Sequence, residues 1–354
     1  MLFKKKAVSA LCSLIIGFTS FQSLANAPYE LMGVTTETGE KQSYVAVKND
    51  VTLPVTVING TKEGPVLLLT AGVHGDEYPS MFALQQLKKL IKPNELSGVL
   101  VLVHLANVEG FHARLIALNP KDYKNLNRVF PGSENGTHTE QIANILTNEF
   151  IAKADYLIDM HSGSNNETLL NHVYAPFIGD EELDSRTLAL AKATGMRHVV
   201  LYGDRPRDPE NAISYPNAAM TRGKPGLTTE IGHLGLSNEE FVLEAIDVAK
   251  NSMRFLEMLR GAPKDNKKPS VYESVTPTPV TKDGFFIASV KVGNFIAEGQ
   301  KVGTVTDYFG NVIEEVFATV SGRIMIVNKT PPVRAGESVV SIGVMAKKDK
   351  RKKR

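Results

Sequence analysis

The chain of 354 residues contains a single cysteine, Cys12, and it lies within an apolar stretch near the start. The rest of the chain therefore forms no internal disulfide, and a core of this size needs none. Leu11 precedes Cys12 where a lipoprotein signal would carry a small residue, so lipidation is not expected. The apolar stretch itself, 7–21, is shorter than the roughly 20 residues a membrane-spanning helix needs. Charge of one sign is also missing: the formal net charge is +2, which argues for no particular partner. The basic run Lys347-Lys348-Asp349-Lys350-Arg351-Lys352-Lys353-Arg354 has no aromatic residues interleaved and no nucleic-acid motif beside it. It reads as a solvated tail, and no nucleic-acid partner is expected. With 42% hydrophobic and 22% charged residues, the composition is that of an ordinary soluble globular protein with room for two domains.

What is present begins with a leader. Lys4-Lys5-Lys6, the apolar stretch and Ala25-Asn26-Ala27 follow the charge, apolar and small-residue order of a secretory signal peptide. Residues 1–27 are read as that signal, and the mature protein is expected to be periplasmic or secreted, with no transmembrane span. Cleavage after Ala27 would leave Pro28 first, an awkward site for a peptidase, so cleavage after Ala25 stands beside it. An uncleaved anchor is the competing reading.

From about residue 53 to 260, apolar strand candidates (99–105, 156–160, 198–201) alternate with amphipathic helix candidates (80–91, 139–152, 181–194, 239–259). Such alternation predicts an α/β three-layer sandwich with a mostly parallel, mixed central sheet, here assigned to 28–262. A charged, proline-punctuated linker follows at 263–269. Beyond it, glycines punctuate β-branched runs such as 312–320 and 323–327, which predicts a small all-β domain over 270–346 before the tail at 347–354. The turns at 293–300 and 335–337 resemble those of biotinyl or lipoyl barrel-sandwich modules. No lysine stands in the setting such carriers modify, so no swinging arm is expected.

The most informative motif is Gly72-Val73-His74-Gly75-Asp76-Glu77, directly after the buried strand candidate 66–71. Its glycines let the chain turn sharply at the strand's C-terminal end, where open α/β sheets place their ligand sites. Residues three apart on such a turn can aim at one point, and two His with one Glu leave the fourth zinc position for water. The third ligand candidate, His161, ends the strand 156–160 in a similar setting, followed by Ser162-Gly163. Asp159, two residues earlier, shares its strand face and is placed to orient it. His-x-x-Glu-His would make the Glu a base, but Tyr78 holds the position of its second His, so Glu77 reads as a ligand. The base candidate is Glu230 in Gly226-Leu227-Thr228-Thr229-Glu230-Ile231-Gly232-His233. Asn127 and Arg128, before Phe130-Pro131-Gly132, suit a substrate carboxylate, and Arg114 is a weaker candidate for steadying the scissile carbonyl.

Taken in order, His74-x-x-Glu77, Asn127-Arg128 before Phe130-Pro131-Gly132, Asp159-x-His161-Ser162 and Glu230 resemble the succinylglutamate desuccinylase/aspartoacylase family of the zinc metallocarboxypeptidase clan, over roughly 50–345. The resemblance implies a hydrolase holding one zinc per chain on His74, Glu77 and His161. Its substrate would be a small N-acyl amino acid whose carboxylate is held by Asn127 and Arg128, with Glu230 as base. It also implies a C-terminal β domain walling the mouth of the site, with Tyr308 and Phe309 either reaching in or forming a surface turn. The sequence departs from the clan pattern at Asn125, where many members carry an aspartate that orients a ligand histidine. A metallocarboxypeptidase or amidase acting on short cell-wall peptides, and an inactive binding homologue, are the alternatives.

Overall fold

The computed structural model describes residues 26–203, 205–264 and 268–346. Residues 1–25 of the expected leader, the centre of the expected linker and the basic tail lie outside them. Among the described residues, no helix is long and apolar enough to cross a membrane.

The first half of the chain runs β1 (Tyr29–Leu31), β2 (Val34–Thr36), β3 (Lys41–Lys48), β4 (Val51–Asn59), β5 (Lys62–Ala71), α1 (Tyr78–Leu90), β6 (Ser97–Val103), α2 (Val108–Ala113) and α3 (His138–Ile145). It continues with β7 (Tyr156–His161), β8 (Glu167–Leu169), β9 (His172–Pro176), α4 (Glu181–Ala193), β10 (His198–Tyr202), α5 (Tyr215–Met220), β11 (Gly226–Glu230) and α6 (Glu239–Phe255). The remaining strands are β12 (Ser270–Pro279), β13 (Gly284–Ala288), β14 (Phe295–Ile296), β15 (Lys301–Thr306), β16 (Val312–Phe317), β17 (Gly322–Asn328), β18 (Pro332–Val333) and β19 (Ser338–Met345).

The strands at the centre of the large sheet are apolar on both faces because helices cover both. Leu67 and Leu69 of β5 pack with Leu84 and Leu87 of α1 and with Val242 and Ala249 of α6. Leu68 points the other way, toward Ile142 of α3 and Ala218 of α5. Each such fully buried leucine contributes about 1.5–3 kcal/mol relative to exposure. The result is the three-layer α/β sandwich expected from the sequence.

β6, β5, β7 and β11 run parallel side by side, while β11 meets β9 antiparallel. Parallel strands bring their C-terminal ends to one edge. Thr70 lies opposite Asp159, and Glu230 opposite His161, so three motifs far apart in sequence share one edge.

The helix expected over 139–152 is not continuous: α3 ends at Ile145 and the chain goes on through a wider turn, 146–150, and a tighter one, 151–153. β1 to β3, α2, the short β8 and α5 were not foreseen. β3 alternates exposed and covered residues as an edge strand does, and its exposed Val45 and Val47 carry no long apolar run.

The C-terminal segment forms a separate four-stranded antiparallel sheet, β16-β15-β13-β18, around its own core of Phe286, Val302, Val305 and Val316. Its other strands extend the large sheet. β12 pairs in parallel with β10, β19 pairs with β12, and β17 pairs with both β19 and β8. Tyr308 and Phe309 are 85% and 90% exposed in the turn between β15 and β16.

Candidate active site

The loop after β5 is shaped by two glycines. Gly72 has φ +68°, a conformation that disfavours side chains, and a Cβ on Gly75 would lie 2.2 Å from the backbone nitrogen of Phe111. The loop can therefore press against the end of α2 and turn His74 and Glu77 back over the sheet edge. Glu77 also stands at the N-terminus of α1, where the helix dipole favours a carboxylate.

His74, Glu77 and His161 converge there, with one donor atom of each within 4.8 Å of the others. Glu77 Oε1 is 2.8 Å from His74 Nδ1, and Glu77 Oε2 is 2.8 Å from His161 Nδ1. The opposite ring nitrogens are tied back. His74 Nε2 lies 3.1 Å from Asn125 Oδ1, an oxygen that also accepts the Asn127 amide N–H at 2.8 Å. His161 Nε2 lies 2.7 Å from Asp159 Oδ2. Both partners accept, so each histidine donates through Nε2, which would leave its Nδ1 lone pair for a metal ion held together with Glu77. Two imidazole nitrogens and a carboxylate, backed in this way, fit a zinc ion. Ser164 Oγ and the Ser162 amide donate to Glu77 at 3.1 and 3.2 Å and fix its orientation.

The charges respond to this packing. Burial works against the charge of Glu77, but His161 and His74 outweigh it and hold the carboxyl well below the usual range. Burial also disfavours a charged His161, yet Asp159 and Glu77 raise its pKa well above the ordinary value. Glu230 has no such support. Burial, followed by the neighbouring carboxylates Glu77 and Glu167, lifts it well above the normal carboxylate range against the pull of His161.

These residues line a cavity of about 540 Å³ together with Asn125, Asn127, Arg128, Glu167, Tyr174 and Arg205. Val275, Pro277, Ile326 and Ser341 wall it from the C-terminal segment, whereas Tyr308 and Phe309 do not line it. Asn127 is nearly buried, with Oδ1 accepting the Tyr215 amide at 2.9 Å and Nδ2 reaching Asp159 at 3.4 Å. Its amide is thus engaged in holding the frame. Arg128 donates to the Asn127 carbonyl, and among the described residues no carboxylate pairs with it.

Arg114 is not brought to this cavity. It closes α2 with a left-handed backbone and lines a separate pocket with Tyr78, Phe82, His104 and Phe111. The cations inside the cavity are Arg128 and Arg205 instead. Arg205 lies over the Tyr202 ring, 3.3 Å from its centroid, and burial together with Arg128 pulls its pKa down to about 10. Sequence reading missed Arg205 and Glu167, because neither stands in a strand-end motif. His233 packs edge-on against Phe241 and does not line the cavity.

A family model, the succinylglutamate desuccinylase/aspartoacylase catalytic domain, matches residues 63–256. The chain belongs to that family. Among curated proteins it is similar to the N-alpha-acetyl-L-2,4-diaminobutyric acid deacetylase of Halomonas elongata, 28% identical over 73% of this chain and 75% of that one. Among solved structures it is similar to a succinylglutamate desuccinylase/aspartoacylase from Rhodobacter sphaeroides (25% identity, TM-score 0.76, covering 87% of this chain and 96% of that one). It is also similar to the product-bound ectoine utilization protein EutE (DoeB) from Ruegeria pomeroyi (26% identity, TM-score 0.76, covering 85% and 93%). Both solved structures cover at least 85% of this chain, and the Halomonas relative is named as a deacetylase.

Proposed function

We propose that this chain is a zinc-dependent amidohydrolase that removes the acyl group from a small N-acyl amino acid. The observation that carries the reading is the meeting of the His74, Glu77 and His161 donor atoms beside Glu230, the register partner of His161. His74, Glu77 and His161 would hold the metal, which when bound supplies Lewis acidity toward the scissile carbonyl and the attacking water. Glu230, half-buried at the C-terminal end of β11, takes the proton from that water and returns it to the leaving amine. Arg128 and Arg205 hold the substrate carboxylate, and Asn127 keeps Asp159 against His161.

The Halomonas relative is named for an Nα-acetyl amino acid, which fits a cavity of this size and charge. The wall from β12, β17 and β19 favours small substrates over extended cell-wall peptides. Retention of all three ligand candidates with Glu230 favours an enzyme over a binding protein. We extend the reading to export: the charge, apolar and small-residue order of 1–27 supports a periplasmic or secreted enzyme, testable by sequencing the N-terminus of protein recovered from the periplasm and the medium.

The enzyme reading is tested by metal content and amine release from a panel of N-acyl amino acids and short cell-wall peptides. About one zinc per chain, with hydrolysis confined to N-acyl amino acids and both lost in His161→Ala, is expected. Metal-free protein that stays inactive after zinc addition overturns it.

A further inference from the structure

The small sheet of the C-terminal segment is apolar on both faces, and its own core covers one of them. Along β13 the side chains alternate, with Phe286 turned into the core beside Val305 and Val316 and with Phe285 and Ile287 turned out. Strand pairing carries the outer face across three strands: Phe285, Thr306 and Val312 form one row, and Ile287, Thr304 and Glu315 the next. A sheet with one solvated face should read polar on that face, and this one does not. Phe317, about half exposed, closes the face at one end, and Tyr308 and Phe309 stand at the other in the turn between β15 and β16.

That turn is held from within. One Asp307 carboxylate oxygen accepts the Phe309 and Asn311 amides, each at 2.9 Å, and the other accepts the Asn311 side-chain amide, also at 2.9 Å. The Asp307 amide donates to the Asn311 carbonyl at 2.9 Å, and the Tyr308 ring meets Phe285 edge-on with centroids 5.9 Å apart. Two almost bare aromatic rings are thus presented from fixed main chain, which lowers the ordering cost of a contact. An aromatic side chain can bury about 150–250 Å², so Tyr308 and Phe309 with the exposed parts of Phe285 and Phe317 offer on the order of 500 Å². Ile287 and Val312 add enough that the patch exceeds the roughly 300–600 Å² an ordinary monomer leaves bare and approaches the roughly 800 Å² each partner gives to a standard stable interface.

We propose that the outer face of β13, β15 and β16 is where two copies of this chain dock, in a closed dimer related by a two-fold axis. The charged groups on the face, Lys301 and Glu315, pair with each other, so it offers little to a polyanion or a charged lipid surface, and two copies laid face to face meet no excess of one sign. An apolar face that is its own partner is covered in both copies at once. The candidate active cavity is lined by none of these three strands, so docking here does not use it.

Sedimentation equilibrium of the purified protein over a range of concentrations tests this. Wild type is expected to dimerise, and the double substitution Tyr308→Ser with Phe309→Ser to weaken the dimer at least about 100-fold, as loss of central aromatic contacts does. Ile287→Lys, at a different point of the face, should act in the same way, so a folding defect in one variant leaves the other to decide. Val45→Ser with Val47→Ser, on the exposed edge strand β3, should leave the dimer intact. A monomer at every concentration overturns the proposal, and binding of that monomer to vesicles of phosphatidylethanolamine and phosphatidylglycerol would assign the face to lipid instead. A dimer that survives both sets of substitutions at the face also overturns it, as does one that only the β3 variant dissociates.

Discussion

Asn125 Oδ1 stands 3.1 Å from His74 Nε2, the position at which His161 meets the carboxylate of Asp159 at 2.7 Å. The two histidines that would hold the metal therefore have unequal support, one from a neutral amide and one from an anion. A carboxylate behind an imidazole strengthens it as a donor, and changes at such positions alter metal affinity by about 10- to 100-fold. Asn125→Asp should accordingly tighten zinc binding by about 10-fold, read by competition with a chromogenic chelator. Unchanged affinity would show that the amide already gives His74 all the support it needs.

Arg205 and Arg128 are expected to share one anion. Arg205→Met should raise KM for N-acyl amino acids by about 10- to 100-fold, the worth of a hydrogen bond to a charged group, while kcat changes little. A fall in kcat at constant KM would instead put Arg205 on the reacting carbonyl, the part expected from the sequence of Arg114, which lines a separate pocket.

Glu230→Gln should retain zinc and the fold while lowering kcat by about 10²- to 10⁴-fold, the usual range for a general acid and base. Metal analysis and steady-state rates on the same sample separate this from loss of the ligand triad. Near-normal turnover would remove Glu230 from the chemistry.

Acid should weaken the fold through two histidines outside the ligand triad. His172 Nδ1 donates to the Leu170 carbonyl at 2.7 Å, and burial holds its pKa down at about 4. His104 is also held at about 4, by burial and then by Lys88. The unfolded chain takes up these protons near pH 6.5 and the folded chain only near 4. Stability is therefore complete above about pH 6.5 and declines as the pH falls toward 4, by about 3 kcal/mol for His172 alone. Denaturant unfolding at several pH values should show this slope, and His172→Gln should flatten it. An unchanged slope in the variant would place the acid sensitivity elsewhere.

Gly75→Ala tests how the loop is held. Its new methyl would meet the backbone at Gly110 and Phe111, so a loss of about 1–3 kcal/mol in stability and lower zinc occupancy are expected. Wild-type stability and zinc content would mean that α2 yields without cost.

Much of this site was legible because its parts sit where apolar strands stop. His74 and Glu77 follow β5, while His161 and Glu230 end β7 and β11, and each location is marked by an apolar run giving way to glycine and polar residues. What the sequence did not contain was the register that sets Glu230 opposite His161, since pairing between distant strands leaves no local trace. Arg205 lies in a polar loop after β10 and Glu167 begins a three-residue strand, so neither had a periodicity to announce it. The same reasoning explains Arg114. It stands near the right motif in sequence, but the turn at the end of α2 carries it to a different pocket. Asn127 was legible as a site residue, yet its bonds to Tyr215 and Asp159 depend on α5, which the sequence reading did not place.

The wall of the cavity is woven into the sheet through β12, β19 and β17, with β8 as its seam. It is a fixed aperture and not a door. Lifting it would break whole ladders of main-chain hydrogen bonds, so any selection by size would take place at the threshold, before any bond in the substrate is strained. Altering which molecules enter is then a matter of trimming Val275 or Ile326 at the rim, with no hinge to retune.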